Sequence, residues 1–155
     1  MQNIDQAIGG TFVLSKAGLG VGSTNTQLST GAITVYVIDG IFQTSKAATA
    51  TFPATITPGQ PAAVPVPVGN KCAFGVWLDK AGVFTVTQGQ VTPANSNTDK
   101  APPPPAPGDR ALVGVFTAFA LSAPFVLGTN VLTAGTVAGV TVNYFDTFSL
   151  PGASF

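Results

Sequence analysis

Histidine and glutamate are missing from this 155-residue sequence, cysteine and tryptophan each occur once, and only 8% of residues carry a charge. Without histidine the commonest general base and metal ligand is gone. With Cys72 alone there can be no internal disulfide and no thiolate metal site. Cys72 stands in a strand-like run and reads as a small buried hydrophobe. The charge content compares with about a quarter in ordinary soluble domains. Six Asp balance five Lys and one Arg, so the net charge is zero. No basic surface exists to displace the counterions of a nucleic acid, so no nucleic-acid partner is expected. Little self-repulsion opposes association either. Solubility has to come from Thr, Ser, Asn and Gln, and the chain reads as one that works packed in an assembly.

Catalytic groups are equally sparse. Asp5, Asp39, Asp79, Asp99, Asp109 and Asp146 are scattered along the chain. Asp39 and Asp79 fall in turns, Asp99 and Asp109 in a proline-rich segment, and Asp146 in an aromatic strand, where it reads as an edge residue that discourages aggregation. Neither a Gly-x-Ser-x-Gly elbow nor a P-loop occurs. The expectation is a non-enzyme with no catalytic, cofactor-binding or metal-ligating residues. The opening Met-Gln-Asn-Ile-Asp-Gln has neither the basic nor the apolar region of a secretory signal. One long uncharged run, residues 111–127, reaches the lower bound for a membrane span. Gly114, Thr117, Ser122 and Pro124 interrupt it and no basic cluster flanks it. It reads as buried strands, and no membrane partner is expected.

What the sequence does have is strand and turn chemistry. Residues 72–91 carry the clearest hairpin, with two runs rich in β-branched and aromatic residues flanking Asp79-Lys80-Ala81-Gly82. Asp79 can accept from the backbone two residues on, and Gly82 can take positive φ, which suits a type I turn closed by a bulge. Pairing Asp79 with Val83 sets Leu78 against Phe84 and Val76 against Val86. Phe74, Val76, Leu78, Phe84 and Val86 then share a wholly apolar face, whereas the alternative register mixes Thr into both faces. Asp39-Gly40 between two apolar runs is the strongest two-residue hairpin signal, pairing Ile38 with Ile41 and Val37 with Phe42. Further strands are expected at 11–14, 49–57 (interrupted by Pro53, hence an edge or bulge), 111–121, 125–131 and 137–148. In the last, Val140, Val142, Tyr144 and Asp146 share a face. Residues 16–26, rich in Gly and Thr, read as a loop.

No run has a capped 3.6-residue period. The expected fold class is all-β: an antiparallel β-sandwich or barrel, jelly-roll-like, with extended terminal arms. The expected organisation is an N-terminal arm and first strand (1–32), a β domain (33–148) containing a Pro-rich connection (92–109), and a C-terminal tail (149–155). The four prolines of that connection favour a stiff polyproline II spacer.

Aromatics are the remaining candidates for recognition. Trp77, Tyr36 and Tyr144 could stack on a sugar, but Trp77 reads equally as core or subunit contact. Phe148 and Phe155 are the anchors expected to reach neighbours.

The order of motifs carries a resemblance. Ile38-Asp39-Gly40 leads to Ser45-Lys46-Ala47-Ala48, Phe52-Pro53 and a Pro/Val-rich segment. Then come Cys72 and Trp77-Leu78-Asp79-Lys80-Ala81-Gly82-Val83-Phe84, Pro107-Gly108 before Leu112-Val113-Gly114, and Gly128-Thr129 before Val142-Asn143-Tyr144-Phe145-Asp146. Over residues 33–148 the chain resembles small virion structural proteins of tailed bacteriophages. The resemblance implies a β-rich decoration (cement) protein on the phage head, made in the host cytoplasm. It further implies a homo-oligomer, most often a trimer, seated on the major capsid protein where capsomers meet. A head-fibre or tail-associated module binding host glycan through Trp77, Tyr36 or Tyr144 is the alternative, and a tail-tube or neck component a third.

Overall fold

In the computed structural model, residues 10–94 and 107–146 are described. Most of the expected N-terminal arm, the tetraproline stretch, and the tail with Phe148 and Phe155 lie outside them. Twelve strands form among the described residues: β1 (Phe12–Val13), β2 (Leu19–Val21), β3 (Leu28–Thr30), β4 (Tyr36–Ile38), β5 (Ile41–Phe42), β6 (Thr49–Phe52), β7 (Asn70–Leu78), β8 (Phe84–Gln88), β9 (Thr92–Pro93), β10 (Ala111–Ala120), β11 (Gly135–Val137) and β12 (Val140–Asp146). All their pairings are antiparallel. The fold is all-β, as the turn and strand signals imply. The barrel alternative is not formed among the described residues, where no sheet closes on itself.

The largest sheet runs β11-β12-β10-β7-β8, with β9 pairing the far end of β7. Two three-stranded sheets, β1-β4-β5 and β2-β3-β6, contribute Val13, Tyr36, Ile38, Leu19, Leu28 and Phe52 to the same core. The central hairpin has the register that segregates its faces: Val76↔Val86, Trp77↔Thr85 and Leu78↔Phe84, with the Asp79 amide bonded to the Val83 carbonyl. Its apolar face is fully inside, where Phe74 stacks on Phe116 at 4.8 Å and meets Phe125 edge-on at 5.5 Å. In β10 a bulge between Leu112 and Gly114 moves the inward set from Ala111 and Val113 to Phe116, Ala118 and Ala120. One extra residue thus lets a strand of mixed pattern keep every large apolar side chain of that set in the core. Gly114 sits where a Cβ would come within 2.9 Å of the Phe145 carbonyl and 2.8 Å of Leu19, so β2 packs directly on the sheet there.

Three expectations need correction. Residues 16–26 are not simply a loop: Leu19–Val21 pairs with Leu28–Thr30 in a hairpin, and Leu19 and Leu28 are buried. Their sparse apolar residues gave no period, but core packing supplies what propensity lacks. The 125–131 run is not a strand. Phe125 makes one bridge to Val66, and a turn follows in which the Asn130 side chain accepts from the Val126 amide. The 137–148 run is split by a two-residue turn at Ala138-Gly139, both at positive φ (50° and 78°), which folds β11 back on β12. An Ala at the first position hides that turn, because type I′ is usually signalled by Asn or Asp.

Candidate functional site

Two hairpin tips meet at one end of the molecule. Asp39 and Gly40, at φ 52° and 76°, close β4–β5. Asp79 to Gly82 close β7–β8, with Gly82 at φ 74°. Asp79 organises its tip. Its Oδ1 accepts from the amides of Ala81 (2.9 Å) and Val83 (2.8 Å). Its Oδ2 accepts from Arg110 Nη1 at 3.2 Å, in a pair largely withdrawn from solvent. The Asp79 carbonyl accepts from the Tyr36 hydroxyl at 3.0 Å, which joins β4 to this tip. Outside, Lys80 Nζ lies 2.9 Å from Asp39 Oδ2, so the two tips are also paired in solvent. Asp109 Oδ1 stands 3.6 Å from Arg110 Nε. Lys46 completes the group, its ammonium 5.8 Å from the Phe84 ring centre. Half of the chain's twelve charged side chains are therefore collected at this end.

Two concavities flank Lys46. One, of about 240 Å³, is polar and lined by Tyr36, Thr44, Ser45 and Lys80. The other, of about 440 Å³, is a shallow apolar groove between β6 and β8, lined by Phe52, Pro53, Pro58, Val83 and Phe84. Phe52 and Phe84 stack at 4.3 Å beneath it, and Val83 stands 51% exposed at its rim. The groove exists because Pro53 ends β6, leaving the edge of β8 to a single bridge from Ile56 to Val86.

The sequence-derived aromatic candidates are not assembled into a platform. Tyr36 is 1% exposed and belongs to the core. Burial, then the charge of Asp79, pushes its phenol above the ordinary tyrosine range. Trp77 is 5% exposed on the opposite face of the large sheet, and its indole N–H donates to Thr87 Oγ1 at 2.7 Å. Tyr144 is half-buried against Phe116, with its hydroxyl donating to the Leu132 carbonyl, and burial raises its pKa as well. All three polar tips are satisfied within the chain. Cys72 is fully buried, and burial pushes its thiol up to about 11. Asp146, read as an edge residue, instead accepts from the Leu19 amide at 2.7 Å and ties β12 to β2. No cluster of three or more potential metal ligands occurs among the described residues, and no described helix is long and apolar enough to cross a membrane.

Sequence reasoning did not find Arg110, Lys46 or the groove. The one available signal was that Asp39 and Asp79 both occupy hairpin tips. That the tips touch depends on sheet packing between residues about forty positions apart, which no local pattern encodes.

Large apolar side chains also stand outside the core. Ile41 and Phe42 are 63% and 71% exposed on β5, which forms one edge of its sheet, and all of β11 is exposed at the edge of the large sheet. No family model, curated protein or solved structure matches the chain.

Proposed function

We propose that the chain is a structural protein that works by association, and specifically a homo-oligomeric decoration protein that braces a bacteriophage capsid. The observation that carries this reading is the apolar edge of β5. Ile41 and Phe42, 63% and 71% exposed, present an apolar edge on the two-residue strand β5, with Lys46 following where the same segment bridges Thr34. A second copy or a capsid surface covering that edge would gain about 25 cal/mol per Å² of apolar area removed from water. Repeated over a shell, even modest contacts of this kind favour the closed state, because a ligand that binds only the closed state shifts the equilibrium by mass action. The order of turn and strand motifs over residues 33–148, with its resemblance to small virion structural proteins, supplies the capsid as partner. Sugar recognition through Trp77 and Tyr36 has no support from their burial.

The test is heat inactivation of capsids assembled with and without the protein. Capsids carrying it are expected to open at a higher temperature. Identical opening temperatures would remove the cementing role.

A further inference from the structure

The outer edge of β8 is left open at one residue. Val86 turns its amide and carbonyl toward residues 55–57, donating to the Thr55 carbonyl and accepting from the Thr57 amide, both at 2.8 Å. Backbone polar groups alternate sides along a strand, so Phe84, two residues back, turns its own amide and carbonyl the same way. Continued one step, the pairing would join Phe84 to Pro53 and Thr55. Neither bond forms, because the chain is still paired with β3 at Phe52 and reaches β8 only at Thr55. Among the described residues Phe84 thus has no backbone partner on this side. The apolar groove lies there, between Pro53, Pro58, Val83 and the stacked Phe52 and Phe84 rings. We infer that this groove receives an extended peptide segment of another protein, added beside β8, that carries apolar side chains next to a carboxylate.

An open strand edge takes main-chain hydrogen bonds from an extended chain, while the hollows beside it select that chain's side chains. The walls here are aromatic, proline and valine, and Val83 stands exposed at the rim, so apolar side chains gain most from entering. Lys46 is the groove's one charge, and it has no ion pair among the described residues. It also lines the polar concavity next door, where Lys80 adds a second ammonium and Thr44 and Ser45 add hydroxyls. Among the described residues no acid lines either concavity. A carboxylate beside the peptide's apolar side chains meets that unpaired charge, whereas a basic peptide is repelled by it. None of the lining residues belongs to β5, so this site stands or falls independently of association through the β5 edge.

Fluorescence anisotropy with the full-length chain and a fluorescein-labelled heptapeptide, Ser-Val-Phe-Asp-Val-Thr-Gly, tests it. Saturable binding is expected, weakened about two- to fivefold when Lys replaces the peptide's Asp. Lys46→Glu should reverse that order of preference. Methylating the peptide's backbone amides one at a time should weaken binding about fivefold at alternate positions only, since every second amide faces β8. Val83→Asp, at an exposed site, sets a like charge beside the peptide's carboxylate in an apolar wall. It should weaken binding at least about tenfold while the thermal unfolding midpoint stays unchanged. No saturation at millimolar peptide, or binding indifferent to Val83→Asp, would overturn the site. Equal sensitivity to methylation at every position, or none at any, would overturn strand addition. Self-association that Val83→Asp abolishes, without peptide binding, would make a second copy the occupant and overturn the peptide.

Discussion

Asp79 concentrates more of the fold than any other charged residue. One oxygen closes the hairpin turn, the other pairs with Arg110, and its carbonyl receives Tyr36. Asp79→Ala removes both side-chain roles and leaves the largely buried guanidinium short of a partner, which is expected to cost about 2–4 kcal/mol in denaturant unfolding. Asp79→Asn keeps the turn acceptor and should recover roughly half of that, given about 1 kcal/mol per retained hydrogen bond. Equal losses for the two variants would show that the turn bonds contribute nothing. Half of this residue's role was legible beforehand: a turn Asp followed by Gly announces its own backbone bonds. Its ion pair was not, because Arg110 approaches from just before β10, 31 residues away. Cys72 makes a second residue-scale case. Its folded pKa, about 11, lies above the ordinary thiol value of 9.0 because burial disfavours the thiolate. The unfolded chain therefore loses its proton first as pH rises, and this contribution to stability is intact below pH 9 and lost between about 9 and 11. Wild type should lose stability over that window more steeply than Cys72→Ala in urea titrations, and parallel curves would contradict the assignment.

At the scale of elements, the contrast between the two tightest hairpins explains what the sequence discloses. Asp39-Gly40 and Ala138-Gly139 both place two residues at positive φ, yet only the first contains the residue types that favour it. Ala138 carries a Cβ in a left-handed conformation and is strained for it. Ala138→Gly should therefore stabilise the chain by about 0.5–1 kcal/mol, the relief exceeding the added unfolded-state entropy. A destabilisation of that size in thermal unfolding would mean the turn is not as described. The central hairpin was readable in full because alternation, turn residues and bulge all pointed to one register. The β2–β3 hairpin was not, since its short strands owe their existence to Leu19 and Leu28 filling the core and to the Asp146 tether. The β10 bulge shifts the inward set mid-strand, a change that alternation alone cannot anticipate.

Across the whole molecule, charge and apolar surface are distributed unevenly. Ion pairs gather at the hairpin tips, while Ile41 and Phe42 beside one tip, and the uncharged β11 edge, meet solvent. The class of the fold followed from composition, since a chain dense in β-branched residues and turns has few other ways to bury its apolar surface. The faces left unburied followed only from topology, because an edge is a property of the finished sheet. Those faces are what make association the central claim. Light scattering coupled to size separation, run on the full-length chain over a wide concentration range, tests it most directly. The account expects a stable multiple of the 15.5 kDa chain mass, reduced when Phe42→Lys puts a charge on the β5 edge. A mass of one chain at every concentration, unchanged by that substitution, would contradict it.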